Sequence, residues 1–341
     1  MWTSLALVAA IVFYPALAGD ASERQNARET AFLVLLAIAL ASSLNILLGY
    51  SGYVSFGHIV FYGVGGYAGF YLISVRGWHL VPAVLAGALV AGLLALVLGL
   101  SILRLRGPYF ALATIGISEA MKAFVKNFEP LGGSTGLTLH FSIYREYGGA
   151  APALRTAYWG VALIAFLAVA MSFFVKRSRF GLGLLAIRED EDAAQGLGVA
   201  APRAKTVAYV LSALLPGAVG VLVFFKNGVI EPESAFRLQL SIELLVMVML
   251  GGQGTVLGPL VGAALYQQLR LKLLTTPFLR DFQLAVAGLL LLAIVLFLPA
   301  GAVGGLRAVA RFLNRKMVLF LPAGAVEWLR ARSRFLARLI E

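Results

Sequence analysis

Runs of about 20 mostly apolar residues, separated by short polar connectors, recur along this chain, and they exclude most folds. A run of that length crosses the hydrocarbon core of a bilayer as an α-helix. Inside lipid a helix satisfies its backbone N–H and C=O groups within its own segment, which an open sheet does not. The candidate spans are 3–18, 30–49, 53–75, 80–103, 108–127, 157–175, 205–226, 238–251, 256–274 and 283–299. Glycine clusters interrupt those between 53 and 75 and between 238 and 274, so broken or re-entrant pieces are expected there. The expected fold is an all-α integral membrane protein, a polytopic bundle of about ten transmembrane or re-entrant segments with broken Gly-rich helices. Composition agrees: only 13% of residues are charged, against roughly 25% in a soluble domain.

The first run ends Ala16-Leu17-Ala18 before Gly19, like a signal-peptidase site, yet the first basic residue is Arg24. A retained helix is the expectation and a cleaved signal the alternative. The net charge of +12 does not imply nucleic acid, because the basic residues sit in connectors between apolar runs. There they orient the segments and meet lipid headgroups. Arg104 and Arg106, the cluster from Lys176 to Lys205, and the arginines beyond 300 fall on one side if the spans alternate. That side is the cytoplasmic one by the positive-inside rule, which places the C-terminus inside. Residues 1–299 read as the membrane domain and 300–341 as a basic tail, with Trp328, Phe335 and Leu339 set against Arg330, Arg334 and Arg338 at helical spacing.

The longest inside connector, 176–204, is the least membrane-like part of the body. Ile187, Ala194 and Leu197 share one helical face, and Arg188, Glu189, Asp190, Glu191 and Asp192 crowd the rest. Gly196, Gly198 and Pro202 are expected to end such a helix. An amphipathic docking helix over about 186–199 is the preferred reading, and a solvated connector is the alternative.

Polar residues inside spans point toward function. Asn45, Ser55, His58 and Thr114 are candidates to line a translocation path, with Gln253 beside the glycines 251, 252 and 254. Leu48-Gly49-x-x-Gly52-x-Val54 recurs as Leu250-Gly251-x-x-Gly254-x-Val256, which suggests paired breaks near mid-membrane. Glu119 and Lys122 stand three residues apart and are expected to pair. Glu243 is expected at the outer interface. Catalytic signatures are missing: no phosphate-binding Gly-x-x-x-x-Gly-Lys-Ser/Thr, no His-Glu-x-x-His and no Gly-x-Ser-x-Gly. With no cysteine, thiolate metal sites are excluded.

Five stretches in order carry a family resemblance: LGYSGYVSFGHIVFYGVGGYAG at 48–69, RGPYFALATIGISE at 106–119, GGSTGL at 132–137, AIREDEDAAQGLGV at 186–199 with Lys205 following, and GGQGTVLGPLVGA at 251–263. Together they resemble the M-type membrane subunit of bacterial ATP-binding-cassette importers for branched-chain amino acids. Tyr53 departs from the glutamine usual in that family, and Phe128-Glu129-Pro130-Leu131 from its Asn-Leu-Thr. The resemblance implies an inner-membrane permease that is not itself an enzyme. It implies an H-type second permease subunit, two cytoplasmic ATPases that hold ATP-Mg, and an external binding protein. No cofactor is expected in this chain. Asp192-Ala193-Ala194-Gln195-Gly196-Leu197-Gly198 resembles the family's ATPase-coupling element, with Asp for Glu; the Leu215-Pro216 pair lies further downstream than that element's Leu-Pro. Urea or short amides are alternative cargoes. A stand-alone carrier or channel is the alternative of a different class.

Overall fold

The computed structural model describes residues 2–17 and 21–275, with isolated positions between 285 and 304. The span expected at 283–299 falls mostly outside the described residues. The tail beyond 304 and the Ala18-Gly19 junction lie outside them altogether.

The described chain is almost entirely helical. The helices are α1 (Trp2–Phe13), α2 (Ala21–Ser51), α3 (His58–Ser74), α4 (Leu80–Ile102), α5 (Pro108–Lys126), α6 (Phe141–Glu146) and α7 (Ala150–Arg177). After these come α8 (Arg179–Glu189), α9 (Glu191–Gly196), α10 (Ala201–Asn227), α11 (Pro232–Ala235), α12 (Leu238–Gly251) and α13 (Leu257–Thr275). A two-residue antiparallel pair, β1 (Leu137–Thr138) with β2 (Val229–Ile230), is the only sheet among the described residues.

Among the described residues, five segments are long and apolar enough to cross a membrane: Ser22–Ser51, Leu80–Ile102, Ala150–Arg177, Ala201–Asn227 and Pro232–Gly251. The segments expected at 3–18, 53–75, 108–127 and 256–274 are helices that fall short of that measure, α1 having only 12 residues. The physical reason lies in the glycine breaks and in charge: α3 has only 17 residues, α5 carries Glu119, Lys122 and Lys126, and α13 carries Arg270 and Lys272. Residues 53–57 are not helical, so α3 begins at His58 rather than at 53.

α2 is the axis of the bundle, with 89% of its apolar window buried, whereas α4 has 33% buried. On α4, Val81, Leu85, Leu89, Leu93 and Val97 recur every fourth residue and are all exposed. That row is an apolar face turned outward, as lipid requires. α10 packs against α2, α3, α4 and α7, and α12 and α13 pack together and onto α2.

Helices in lipid gain from close backbone approach, which small residues permit. A Cβ on Gly65 of α3 would lie 2.4 Å from Gly217 Cα in α10 and 2.8 Å from the Gly87 carbonyl oxygen in α4. All these neighbours are backbone and none can rotate aside. Gly65→Ala is therefore expected to push α3, α4 and α10 apart and cost about 1–3 kcal/mol, read as a lowered thermal midpoint of the detergent-solubilised protein.

The connectors collect at two ends. At one end lie residues 52–57, Leu103–Gly107, α8, α9 and 252–256, joined by the contacts described below. At the other, Leu80 N donates to Tyr147 Oη at 2.8 Å, Lys226 pairs with Glu29 at 2.7 Å, and β1 meets β2. Glu119 pairs with Lys122 at 3.3 Å as expected, and Glu233 joins them, 3.2 Å from Lys122 and also bonded to Lys126.

Candidate functional site

The 176–204 connector does not form one helix over 186–199. It breaks at Asp190, whose extended backbone (φ −156°) ends α8 and starts α9. The Asp190 carboxylate accepts from the backbone N–H of Asp192 and of Ala193, each at 2.9 Å. An aspartate doing this is a strong N-cap, so the sequence favours a new start there over continuation. α9 closes as its glycines foretold. Gly198 takes φ +90°, its N–H donates to Gln195 O at 2.9 Å, and Val199 N–H donates to Ala194 O at 3.0 Å. That pair of bonds is the Schellman stop. The result is a short element capped at both ends.

Its packed face differs from expectation in one residue. Ile187 and Ala194 are buried, but Leu197, which stands at the C-terminal cap of α9, is 85% exposed. Pro202 does not terminate this element; it stands in the first turn of α10, where its missing N–H costs nothing. Pro216 lies inside α10, well away from α9.

Charged side chains fasten α9 to three other segments. Lys205, 3% exposed, donates from Nζ to Glu191 Oε1 at 2.7 Å, to Tyr53 Oη at 2.8 Å and to the Leu103 carbonyl at 2.9 Å. All three ammonium hydrogens are thus used. Tyr53 Oη donates to Glu191 Oε2 at 2.8 Å. Arg106 holds Asp192 with two parallel bonds at 3.0 and 2.8 Å, the fork geometry that favours arginine over lysine. It also lies 3.7 Å from Glu191. One carboxylate–phenol–ammonium cluster therefore ties α9 to the 52–57 linker, to the α4–α5 turn and to α10.

The Arg106 guanidinium holds the Asp192 carboxyl below its ordinary range, mainly through the hydrogen bonds and then through charge. A carboxyl whose pKa is lowered on folding stabilises at pH above its unfolded value, and the effect is lost as pH falls through the folded value. The tie is therefore expected to survive through the usual aspartate range and to open only in stronger acid. Hydrogen exchange at Ala193 and Ala194, followed against pH, would show protection falling there and not near neutrality.

Arg188 connects the same region to both glycine breaks. Its Nη1 donates to Gly49 O at 2.8 Å, capping an orphan carbonyl at the end of α2. Gly52 (φ +76°) and Gly254 (φ +75°) border this side chain: added Cβ atoms would lie 3.1 Å from Arg188 Cγ and 2.8 Å from Arg188 Nη1. The two breaks meet directly. Asn45 accepts from Gly254 N–H at 3.0 Å and donates to Thr255 O at 3.0 Å. Gly251 lets α12 approach α13, since a Cβ there would meet Gly258 O at 1.7 Å, and Gly252 turns the chain at φ +114°. Gln253 is partly exposed. The paired breaks thus occupy the α8–α9 end of the bundle rather than its middle, because α2 runs unbroken to Ser51. A cavity of about 470 Å³ opens between the first break, the α4–α5 turn and α9, lined by Gly52, Tyr53, Arg106, Arg188 and Glu191 among others.

The remaining path candidates gather in a separate buried strip. Thr114 Oγ1 accepts from Phe56 N–H at 3.1 Å. His58 Nε2 lies 3.5 Å from Ser43 Oγ, which also donates to Ser212 O. Ser55 is fully buried nearby in chain. His58 Nδ1 and Ser118 Oγ are buried without a hydrogen-bond partner among the described residues. Glu243 is not at an interface: it is 1% exposed, with Arg270 at 3.2 Å and Gln239 donating at 3.0 Å.

Sequence reasoning did not foresee Tyr53, Arg106 and Lys205 as one cluster, nor Ser43, Ser118 and Ser212 in the strip. Tyr53, Arg106 and Lys205 each lay in or beside a resemblance-bearing stretch, which was the available signal. The three serines carried none.

The architecture defines a multi-pass membrane protein of the transporter permease class: a lipid-facing helical bundle, glycine-broken helices and a capped helical knob at one end. Residues 26–295 match the family described as branched-chain amino acid transport system / permease component, and the chain belongs to that family as a permease subunit. It is 31% identical to the high-affinity branched-chain amino acid transport system permease protein LivM of Escherichia coli K12, over 78% of this chain and 68% of that one. The corresponding LivH of the same organism is 26% identical over 78% of this chain and 90% of that one. The autoinducer 2 import system permease protein LsrC of Klebsiella pneumoniae is 26% identical over 56% and 58%. No solved structure matches.

Proposed function

We propose that this permease carries branched-chain amino acids through the inner membrane of a bacterium as the M-type half of an ATP-driven importer. Its partners are an H-type permease subunit, two cytoplasmic ATPases holding ATP-Mg, and an external binding protein. The supporting observation is α9. It is capped by Asp190, stopped by Gly198, and fastened by Glu191 and Asp192 to the 52–57 linker at the first glycine break, to the α4–α5 turn and to α10. A motor gripping this element moves α10, the α4–α5 turn and the 52–57 linker together, because ion pairs rather than a flexible tether make the connection. The relatives' names support the cargo; an ATPase on the cytoplasmic side has to reach α9, which puts that end of the bundle in the cytoplasm, and the arginine-rich sequence beyond 300 favours a cytoplasmic C-terminus.

In this reading Ser55, His58 and Thr114, with Ser43, Ser118 and Ser212, supply the few polar groups that an amino acid's charged ends need beside an apolar wall. Asn45 and glycines 52, 251, 252 and 254 hold the breaks together for Arg188 rather than meeting cargo. A cysteine at exposed Leu197 should cross-link to a co-purified ATPase subunit, and the complex loaded with its binding protein should retain leucine, isoleucine or valine. Purification without any ATPase would remove the importer reading. Retention of urea or a short amide would keep the machine and change the cargo.

A further inference from the structure

At the end of the bundle opposite α9, a cavity of about 600 Å³ lies among α1, α2 and α7. Its polar lining is strongly basic: Arg24, Arg28, Arg155 and Lys226 face a single carboxylate, Glu29. Lys226 already pairs with Glu29 at 2.7 Å and lies 4.7 Å from the Phe32 ring centroid. Arg28 and Arg155 have no ion-pair partner among the described residues. Apart from Gln25 and Tyr158 the rest of the wall is apolar, with Phe13 and Trp159 in edge-to-face contact at 6.2 Å and both more than half exposed. Exposed aromatics at the end of apolar helices mark the depth at which headgroups meet acyl chains.

We propose that this cavity binds one anionic phospholipid, its phosphate held by Arg28 and Arg155 and its acyl chain lying over Phe13 and Trp159. Charge and shape both select this occupant. Two arginines without an acid partner match a phosphodiester through forked hydrogen bonds, and the adjoining aromatic wall has no use for a small hydrophilic anion. A bound lipid there would join α1 to α2 and α7, which otherwise hold it chiefly through apolar packing and the Tyr158 Oη bond to Val12 O at 2.8 Å. The proposal does not depend on which cargo the permease carries.

The test uses the purified full-length permease, with whatever subunits accompany it, in nanodiscs of defined lipid, and native mass spectrometry to count retained lipids. Phosphatidylglycerol should be retained about tenfold more strongly than phosphatidylcholine. Arg28→Ala/Arg155→Ala should remove that preference and Arg28→Lys/Arg155→Lys should keep part of it, while Arg203→Ala should change nothing. The lipid-free thermal midpoint of each variant checks that the bundle is intact, and a variant that fails this check is replaced by its single substitutions. Equal retention of the two lipids, a preference that survives loss of both arginines, or displacement of the lipid by millimolar inorganic phosphate would each overturn the proposal.

Discussion

Lys205→Met is expected to destabilise the permease by about 3–5 kcal/mol, the usual cost of removing one partner from a buried, hydrogen-bonded ion pair. Lys205 is almost fully enclosed, and Glu191 has only 12% of its side chain exposed. Methionine fills the volume but leaves the Glu191 carboxylate facing Tyr53 and a bare Leu103 carbonyl, each without its cation. Glu191→Gln in the same chain removes the stranded charge, so Lys205→Met/Glu191→Gln should recover a clear part of the loss. Thermal unfolding of the two variants in the same detergent reads the difference. Equal midpoints for Lys205→Met and the wild type would mean the cluster contributes nothing to the fold, contrary to its geometry.

Asp192→Lys should act on transport rather than on folding. The Arg106–Asp192 pair is mostly solvent-exposed, and exposed pairs add little stability. Its reversal places two cations opposite each other and releases α9 from the α4–α5 turn. Uptake should fall to background while expression and thermal midpoint stay near wild type. Arg106→Glu added to Asp192→Lys restores opposite charges in swapped order, and part of the uptake should return. Rescue would locate the defect in the internal tie. Lost uptake with no rescue would locate it in contact with a partner, and undiminished uptake in Asp192→Lys would remove α9 from the coupling scheme.

Local signals made the knob legible. Asp190 and Gly198 are helix punctuation whose effect depends on the backbone within a few residues, so the stop at Gly198 could be read directly. The restart at Asp190 was missed because an apolar face was extrapolated across it to Leu197. The Glu119–Lys122 pair was readable for the same reason, being three residues apart. Glu191 with Lys205 was not: its four participants come from the 52–57 linker, the α4–α5 turn, α9 and α10, and no periodicity relates them. Glu243 looked cheap near an apolar boundary, and only the packing of α13 on α12 supplied Arg270 to neutralise it.

From the sequence alone follow the membrane class, the helical character and the basic connectors, since apolar run length and residue type act through solvent and need no partner. The break glycines were also visible, because a loss of helix-forming side chains is local. Tertiary structure alone decided that the two breaks touch through Asn45, that they lie at the α9 end rather than mid-bundle, and that Arg188 reaches both. Those facts depend on where helices far apart in sequence come to lie, and that is settled by side-chain fit and charge pairing between segments rather than within them.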